Sequence, residues 1–245
     1  MQFPALEIDH DITDWVVDHR LDWLDTPFHV ITTVGNTLAM TIIAIVAGLL
    51  FARAHRRSQA WLIVIGSATG YLVMVGLKHL FARDRPPQAD RLVDIDTYAF
   101  PSGHAMMSGI VLGLIVVSLW QSAPWVRRHR AILWIAPAAS LLIGASRVYL
   151  GVHWASDVVG GWLFALVWIG VAVMVQRRSA QALLRRPVAA STGASLDEKD
   201  RRAEQSDTEP DQAAYERGGG ADAGDPDDDR GDQPERHPDV DHHLR

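Results

Sequence analysis

The stretch Trp154–Gln176 reads WASDVVGGWLFALVWIGVAVMVQ, an apolar run whose one charge, Asp157, sits in its first turn. At 1.5 Å per residue a helix of this length covers ~34 Å, more than the ~30 Å hydrocarbon core of a bilayer. A run this long without an interior charge reads as a transmembrane helix rather than a core helix of a soluble domain. The sequence outside it must then supply further spans for it to pack against.

Four more runs do so: about Phe28–Ala52, Gln59–Phe81, His104–Trp120 and Ala131–Ala145. The fold class that follows is all-α, a polytopic transmembrane helical bundle of about five spans. The fourth run is short for a crossing, so its end takes in Ser146 and Arg147, with Arg147 turned toward protein or water. Gly66/Gly70 and Gly109/Gly113, small residues four apart, let helix backbones approach within the bundle. The clusters Arg53/Arg56/Arg57, Arg127/Arg128/Arg130 and Arg177/Arg178/Arg185/Arg186 all fall at one end of the spans. Cytoplasmic loops carry the Lys/Arg excess, so that end is expected in the cytoplasm. The N-terminus, the loop from about Ala82 to Pro101 and the turn from about Ser146 to His153 are left on the extracytoplasmic side.

The 48% apolar content and net charge of -6 average two regimes. Residues 28–187 form the expected transmembrane domain, and residues 188–245 are rich in Asp, Glu, Gly, Pro, Arg and Gln, the composition of a disordered acidic cytoplasmic tail. Residues 1–27 mix Leu6, Ile8, Ile12, Trp15, Val16, Leu21, Trp23 and Leu24 with charged groups, an amphipathic pattern expected to lie along the membrane interface. They lack the basic start of a cleavable signal peptide. The chain has no cysteine, which excludes a disulfide framework, a thiolate metal site and a cysteine nucleophile. The expected partners are the bilayer and a lipid substrate. Nucleic acid is not expected, and the oligomeric state is not legible.

Three segments at the extracytoplasmic end carry chemistry. Lys78 and Arg85 are seven apart, so they share a helix face if the second span continues that far, although Pro86-Pro87 biases Arg85 into a loop. A snorkelling lysine and a helix-stop arginine would look the same. Pro101-Ser102-Gly103-His104 opens the third span, where backbone N–H groups at Ser102 and Gly103 can bind an anion and His104 can transfer a proton. A serine cap alone would also account for it. His153 and Asp157 are one helical turn apart, so the carboxylate can hold one imidazole nitrogen and leave the other as a nucleophile. The plain alternative is a histidine that only satisfies a buried Asp. The topology, however, brings all three segments, together with Arg147, to one membrane face.

Lys78-x6-Arg85-Pro86, Pro101-Ser102-Gly103-His104 and Ser146-Arg147-x5-His153-x3-Asp157 together resemble the three-part signature of the phosphatidic acid phosphatase type 2 superfamily, across about residues 59–176. The resemblance implies a metal-independent, cofactor-free lipid phosphatase. His153 would form a phosphoenzyme, His104 would protonate the leaving group, and Asp157 would orient His153. Lys78, Arg85, Ser102, Gly103 and Arg147 would cradle phosphate. Phosphatidic acid, phosphatidylglycerol phosphate and polyprenyl diphosphates are the implied substrate classes. Vanadium haloperoxidases share the signature, so a vanadate-dependent oxidoreductase is the first alternative, and a non-enzymatic lipid-binding bundle the second. Membrane members similar to this chain have six spans. The five counted here imply either that the N-terminal segment replaces the first or that the true start lies upstream.

Overall fold

A bilayer offers backbone N–H and C=O groups no partner, so spans of this composition must satisfy their own hydrogen bonds as helices. The computed structural model describes residues 4–207, apart from the side chains of 183–197 and 203–207. By packing, the chain divides into Met1–Arg185 and Arg186–Arg245. The helices are α1 (Glu7–Asp18), α2 (Asp22–Val34), α3 (Thr37–Arg53), α4 (Arg57–Phe81), α5 (Gly103–Ser122), α6 (Pro124–Arg128), α7 (Ile135–Tyr149) and α8 (Ala155–Asp207). No strand occurs among the described residues. Of the tail expected from residue 188 onward, the backbone to Asp207 is helical, and residues 208–245 lie outside the described residues.

Four helical stretches are long and apolar enough to cross a membrane: Arg57–Phe81, Gly103–Ser122, Arg130–Tyr149 and Ala155–Ala182. The bent pair α2 and α3 makes a fifth. The sequence reading ran this span straight from Phe28 to Ala52, whereas the helices meet at 48°. The break has a local cause. Gly35 ends α2, and the Asn36 side chain accepts from the Ala39 N–H at 2.7 Å, capping a new helix. The short fourth run gains length from a 3-10 turn, Arg130–Trp134, before α7, and reaches Tyr149.

The core gathers Met40 and Ala44 of α3, Leu62, Ile63 and Met74 of α4, Met106, Met107, Ile110, Val111 and Leu114 of α5, and Ala165 of α8. The small residues sit where helices touch: a methyl at Gly70 would press on Ile110 and Trp168, and one at Gly109 on Ala165. Leu49, Leu50, Leu72, Leu80, Leu163, Leu166 and Val167 stay exposed around the bundle, as side chains facing lipid do. Exposed Trp15 and Trp23 mark one end, and Trp61, Trp120, Trp125 and Trp134 the other, the positions that tryptophan favours at the two interfaces. The end of α4, the start of α5, the end of α7 and the start of α8 therefore meet at one end of the bundle, where Arg83, Arg147, His153 and Asp157 are buried.

Candidate active site

The site begins where α4 stops. Ala82 takes a left-handed conformation, φ 43°, and its N–H closes on the Lys78 carbonyl at 2.9 Å. The helix does not continue to Arg85, so Lys78 and Arg85 do not share a helix face. Pro86 disfavours helical geometry in the residue before it, which explains the early stop. The loop instead brings Arg85 back over the helix end. Arg85 donates through Nε to the Thr97 carbonyl at 2.6 Å, through Nη2 to Thr97 Oγ1 at 3.0 Å, and through Nη1 to the Val152 carbonyl. Lys78 Nζ donates to the Tyr98 carbonyl, and its stem runs past Gly103, where a Cβ would lie 3.8 Å from Lys78 Cε.

Three hydrogen bonds hold this loop against the α7–α8 turn and the start of α8: one from a side chain, Trp154 Nε1 to the Asp84 carbonyl at 2.9 Å, and two between backbones, Leu92 N–H to the Leu150 carbonyl at 3.0 Å and Ser102 N–H to the Asp157 carbonyl at 2.9 Å. Gly151 permits the fit. Its φ of 69° lies in the left-handed region, and a side chain there would run into the Asp90 carbonyl.

His153 is 2% exposed, with Nδ1 3.3 Å from Asp157 Oδ2 and Nε2 3.2 Å from Arg85 Nη1. A carboxylate on one side and a donor on the other assign the tautomer: Nδ1 carries the proton and Nε2 the lone pair. Burial, and then the charges of Arg85, Arg147 and Lys78, hold the imidazole well below its ordinary pKa, so it is neutral near pH 7. Burial also lowers Arg85 to about 10, which leaves it charged. Asp157 Oδ2 accepts additionally from the Trp154 N–H at 3.0 Å, and its Oδ1 ion-pairs with Arg83.

Ser102 precedes α5 in the capping position, yet its Oγ caps nothing. It is buried without a partner, as are Nε and Nη2 of Arg147, whose Nη1 donates to Thr32 Oγ1. Native proteins rarely bury unpaired polar atoms, and a cluster of them needs an explanation. His104 is half-buried on the first turn of α5, within hydrogen-bonding reach of the Thr32 backbone, and the charges of Arg147, Arg85 and Lys78 reach it as they reach His153. The structure thus gathers Lys78, Arg85, Ser102, Gly103, His104, Arg147, His153 and Asp157 at one bundle end. Spare N–H donors and cations around a neutral, oriented imidazole suit a tetrahedral oxyanion. Among the described residues no group of three or more His, Cys, Asp or Glu is placed to hold a metal ion.

Sequence reasoning missed Thr32, Arg83 and Asp9. Arg83 stands two residues before Arg85 and drew no attention beside it, although it is 1% exposed and pairs with both Asp157 and Asp9. Asp9 was one acid among Glu7, Asp11, Asp14 and Asp18 on an amphipathic helix. Only its spacing to Thr13, four residues on and the other buried position of α1, hints at an inward face.

The family model for the PAP2 superfamily matches residues 59–180. Phosphatidylglycerophosphatase B of Bacillus subtilis is 35% identical over 162 residues, which span 65% of this chain and 78% of that protein. The chain belongs to the PAP2 superfamily. An undecaprenyl-diphosphatase of Sulfolobus acidocaldarius is 42% identical over 74 residues, 29% of this chain and 30% of that protein. A decaprenylphosphoryl-5-phosphoribose phosphatase of Mycolicibacterium smegmatis is 33% identical over 119 residues, 47% and 58% of the two chains. Among solved structures, the transmembrane PAP2-type phosphatidylglycerolphosphate phosphatase from Bacillus subtilis superposes with a TM-score of 0.65 at 29% identity, covering 70% of this chain and 85% of that one. Aquifex aeolicus LpxE, with a TM-score of 0.56 at 20% identity over 71% and 99% of the chains, shares the fold. This PAP2 protein is a phosphatase, and its apolar helices make it a multi-pass membrane protein.

Proposed function

We propose that the protein hydrolyses a phosphate or diphosphate group on a membrane lipid, at the extracytoplasmic face, through a phosphohistidine at His153. The observation that carries this reading is the buried imidazole held between Asp157 and Arg85. In the first step the Nε2 lone pair of His153 attacks phosphorus. The bond from phosphorus to the lipid-side oxygen breaks, and His104, which takes up a proton once the bound anionic phosphate offsets the surrounding cations, gives that proton to the oxygen. Phosphate oxygens draw the Arg85 guanidinium off Nε2, which frees the lone pair. Asp157 stabilises the positive charge that develops on the ring. In the second step water attacks phosphorus, His104 takes the water's proton, and the P–N bond breaks to release phosphate and neutral His153.

Lys78, Arg85, the two unpartnered nitrogens of Arg147, Ser102 Oγ and the Gly103 N–H are the phosphate cradle. Their fixed charges and dipoles act where negative charge spreads in the transition state. A donor set made of cations and N–H groups binds the anion without a bridging metal, which supports metal-independent turnover. The substrate class follows the relatives' names: a phosphatidylglycerol phosphate is the first to test, because that relative matches over 162 residues, and polyprenyl diphosphates, whose phosphatase matches over 74, are second.

The decisive experiment measures phosphate release from dioleoyl phosphatidylglycerol phosphate and from undecaprenyl diphosphate in detergent, with chelator present. The wild-type protein is expected to turn over and to trap labelled phosphate on an alkaline detergent quench, which preserves the P–N bond of a phosphohistidine. His153→Ala should do neither. Turnover retained by His153→Ala, or lost on adding chelator, would overturn the mechanism.

A further inference from the structure

The helix that the sequence places at the membrane surface reaches into the site. Its Asp9 is fully buried, while Ile8 and Trp15 of the same helix are exposed. Asp9 Oδ2 ion-pairs with Arg83 Nη2 at 2.7 Å and accepts from Ser156 Oγ at 2.6 Å, and Oδ1 accepts from the Ser156 N–H at 2.9 Å. The Leu6 N–H donates to Oδ2 at 3.1 Å, so the carboxylate is saturated by fixed donors. Arg83, 1% exposed, turns its other nitrogen, Nη1, to Asp157 Oδ1 and to Ser156 Oγ at 2.8 Å. Asp157 then divides its oxygens, Oδ1 to Arg83 and Oδ2 to His153 Nδ1 and the Trp154 N–H. The next residue of α1, His10, sets its ring against Trp154 with centroids 4.7 Å apart.

From this chain of contacts we propose that Asp9 is a positioning residue, which fixes Arg83 and through it the Asp157 carboxylate and the ring of His153. The inference rests on His153 being the nucleophile. One buried guanidinium between two carboxylates is aimed by both. With the Asp9 carboxylate removed, Arg83 loses the ion pair that aims Nη2, and the pull of Asp157 on Nη1 is no longer opposed from that side. The Asp157 carboxylate is the one His153 needs in a fixed place, and a displacement of about 1 Å at a reacting group costs on the order of a hundredfold in rate. Asp9 touches no reacting atom, so its effect belongs in kcat rather than KM.

The test compares Asp9→Asn with wild type on two probes: p-nitrophenyl phosphate, which has no lipid tail, and dioleoyl phosphatidylglycerol phosphate in detergent micelles. The expected result is a fall in kcat of about ten- to a hundredfold on both probes, with each KM within about twofold. On an Asp157→Asn background, Asp9→Asn should lower kcat no further, because the two act along one line. Full turnover by Asp9→Asn while His153→Ala is inactive overturns the positioning role and leaves the phosphatase mechanism standing. A loss confined to the KM for the lipid overturns it too, since α1 would then serve only to dock the substrate. So does a loss that multiplies in full on the Asp157→Asn background. Activity surviving in His153→Ala removes both proposals. If Asp9→Asn loses cooperative unfolding, Asp9→Glu keeps the charge and moves it by one methylene, and a wild-type kcat in that variant overturns the inference.

Discussion

A methyl group added at Gly103 would sit 3.5 Å from the Met74 sulfur and 3.8 Å from Lys78 Cε, ordinary van der Waals separations. Gly103→Ala should therefore fold with unchanged stability, the more so because alanine is the better helix former at the start of α5. The same methyl would stand beside the Lys78 stem at the helix N-terminus, where the proposed phosphate oxygens lie. Activity should drop by about tenfold or more, while the thermal midpoint in detergent stays within error. A loss of both together would mean that the glycine serves packing. At His153 the prediction concerns pH. The folded state holds this imidazole neutral at pH values where the unfolded chain, with a pKa of about 6.5, is already protonated. The unfolded state then binds more protons, so stability should fall as the pH drops below about 6.5, by up to ~1.4 kcal/mol per pH unit, with no contribution above it. His153→Gln should flatten that part of the stability profile, and a slope unchanged in the variant would refute the assignment.

Between elements, the site depends on how closely the loop after α4 and the start of α5 approach the α7–α8 turn. Gly151 adopts a left-handed φ with the Asp90 carbonyl against it, and a Cβ at Gly161 of α8 would lie 2.9 Å from the Ser102 carbonyl. Gly151→Ala should destabilise the protein by about 1–2 kcal/mol from backbone conformation alone, with more from the clash. Because Arg85 hangs on the Val152 carbonyl, turnover should fall with it. Thermal unfolding and phosphate release on the same preparation check both. The five apolar runs were legible because hydropathy and length decide a span without tertiary information. The signature residues were legible because chain topology alone brings span ends together. The break at Gly35-Asn36 was not, since a single cap inside an apolar run leaves hydropathy unchanged. The early end of α4 was not either, because the Lys78–Arg85 spacing fits a helix that stops at Phe81 as well as one that continues. Asp9 and Arg83 stayed hidden for a further reason: an ion pair between residues 74 apart leaves no periodic trace in either segment.

For the molecule as a whole, the proposed orientation rests on how the exposed charges divide between the two ends. Arg53, Arg56, Arg57, Arg127, Arg128, Arg130, Arg177 and Arg178 are all exposed at the end away from the site. At the site end the arginines are withdrawn from the surface: Arg83 and Arg147 are buried, and Arg20, Arg85 and Arg91 are half-buried. Exposed Lys/Arg side chains keep a loop in the cytoplasm, so the site is expected outside, where it would meet lipid phosphates in the outer leaflet. The absence of native cysteine makes the test direct, because a single introduced thiol is the only one present. Asp96→Cys, exposed in the loop after α4, should react with a membrane-impermeant maleimide on intact cells. His129→Cys, exposed between α6 and α7, should react only after permeabilisation. Neither side chain belongs to the proposed cradle, so phosphate release in each preparation reports that the bundle is intact while the label reports its orientation. The reverse pattern of labelling would put the active site in the cytoplasm and require a substrate presented from the inner leaflet.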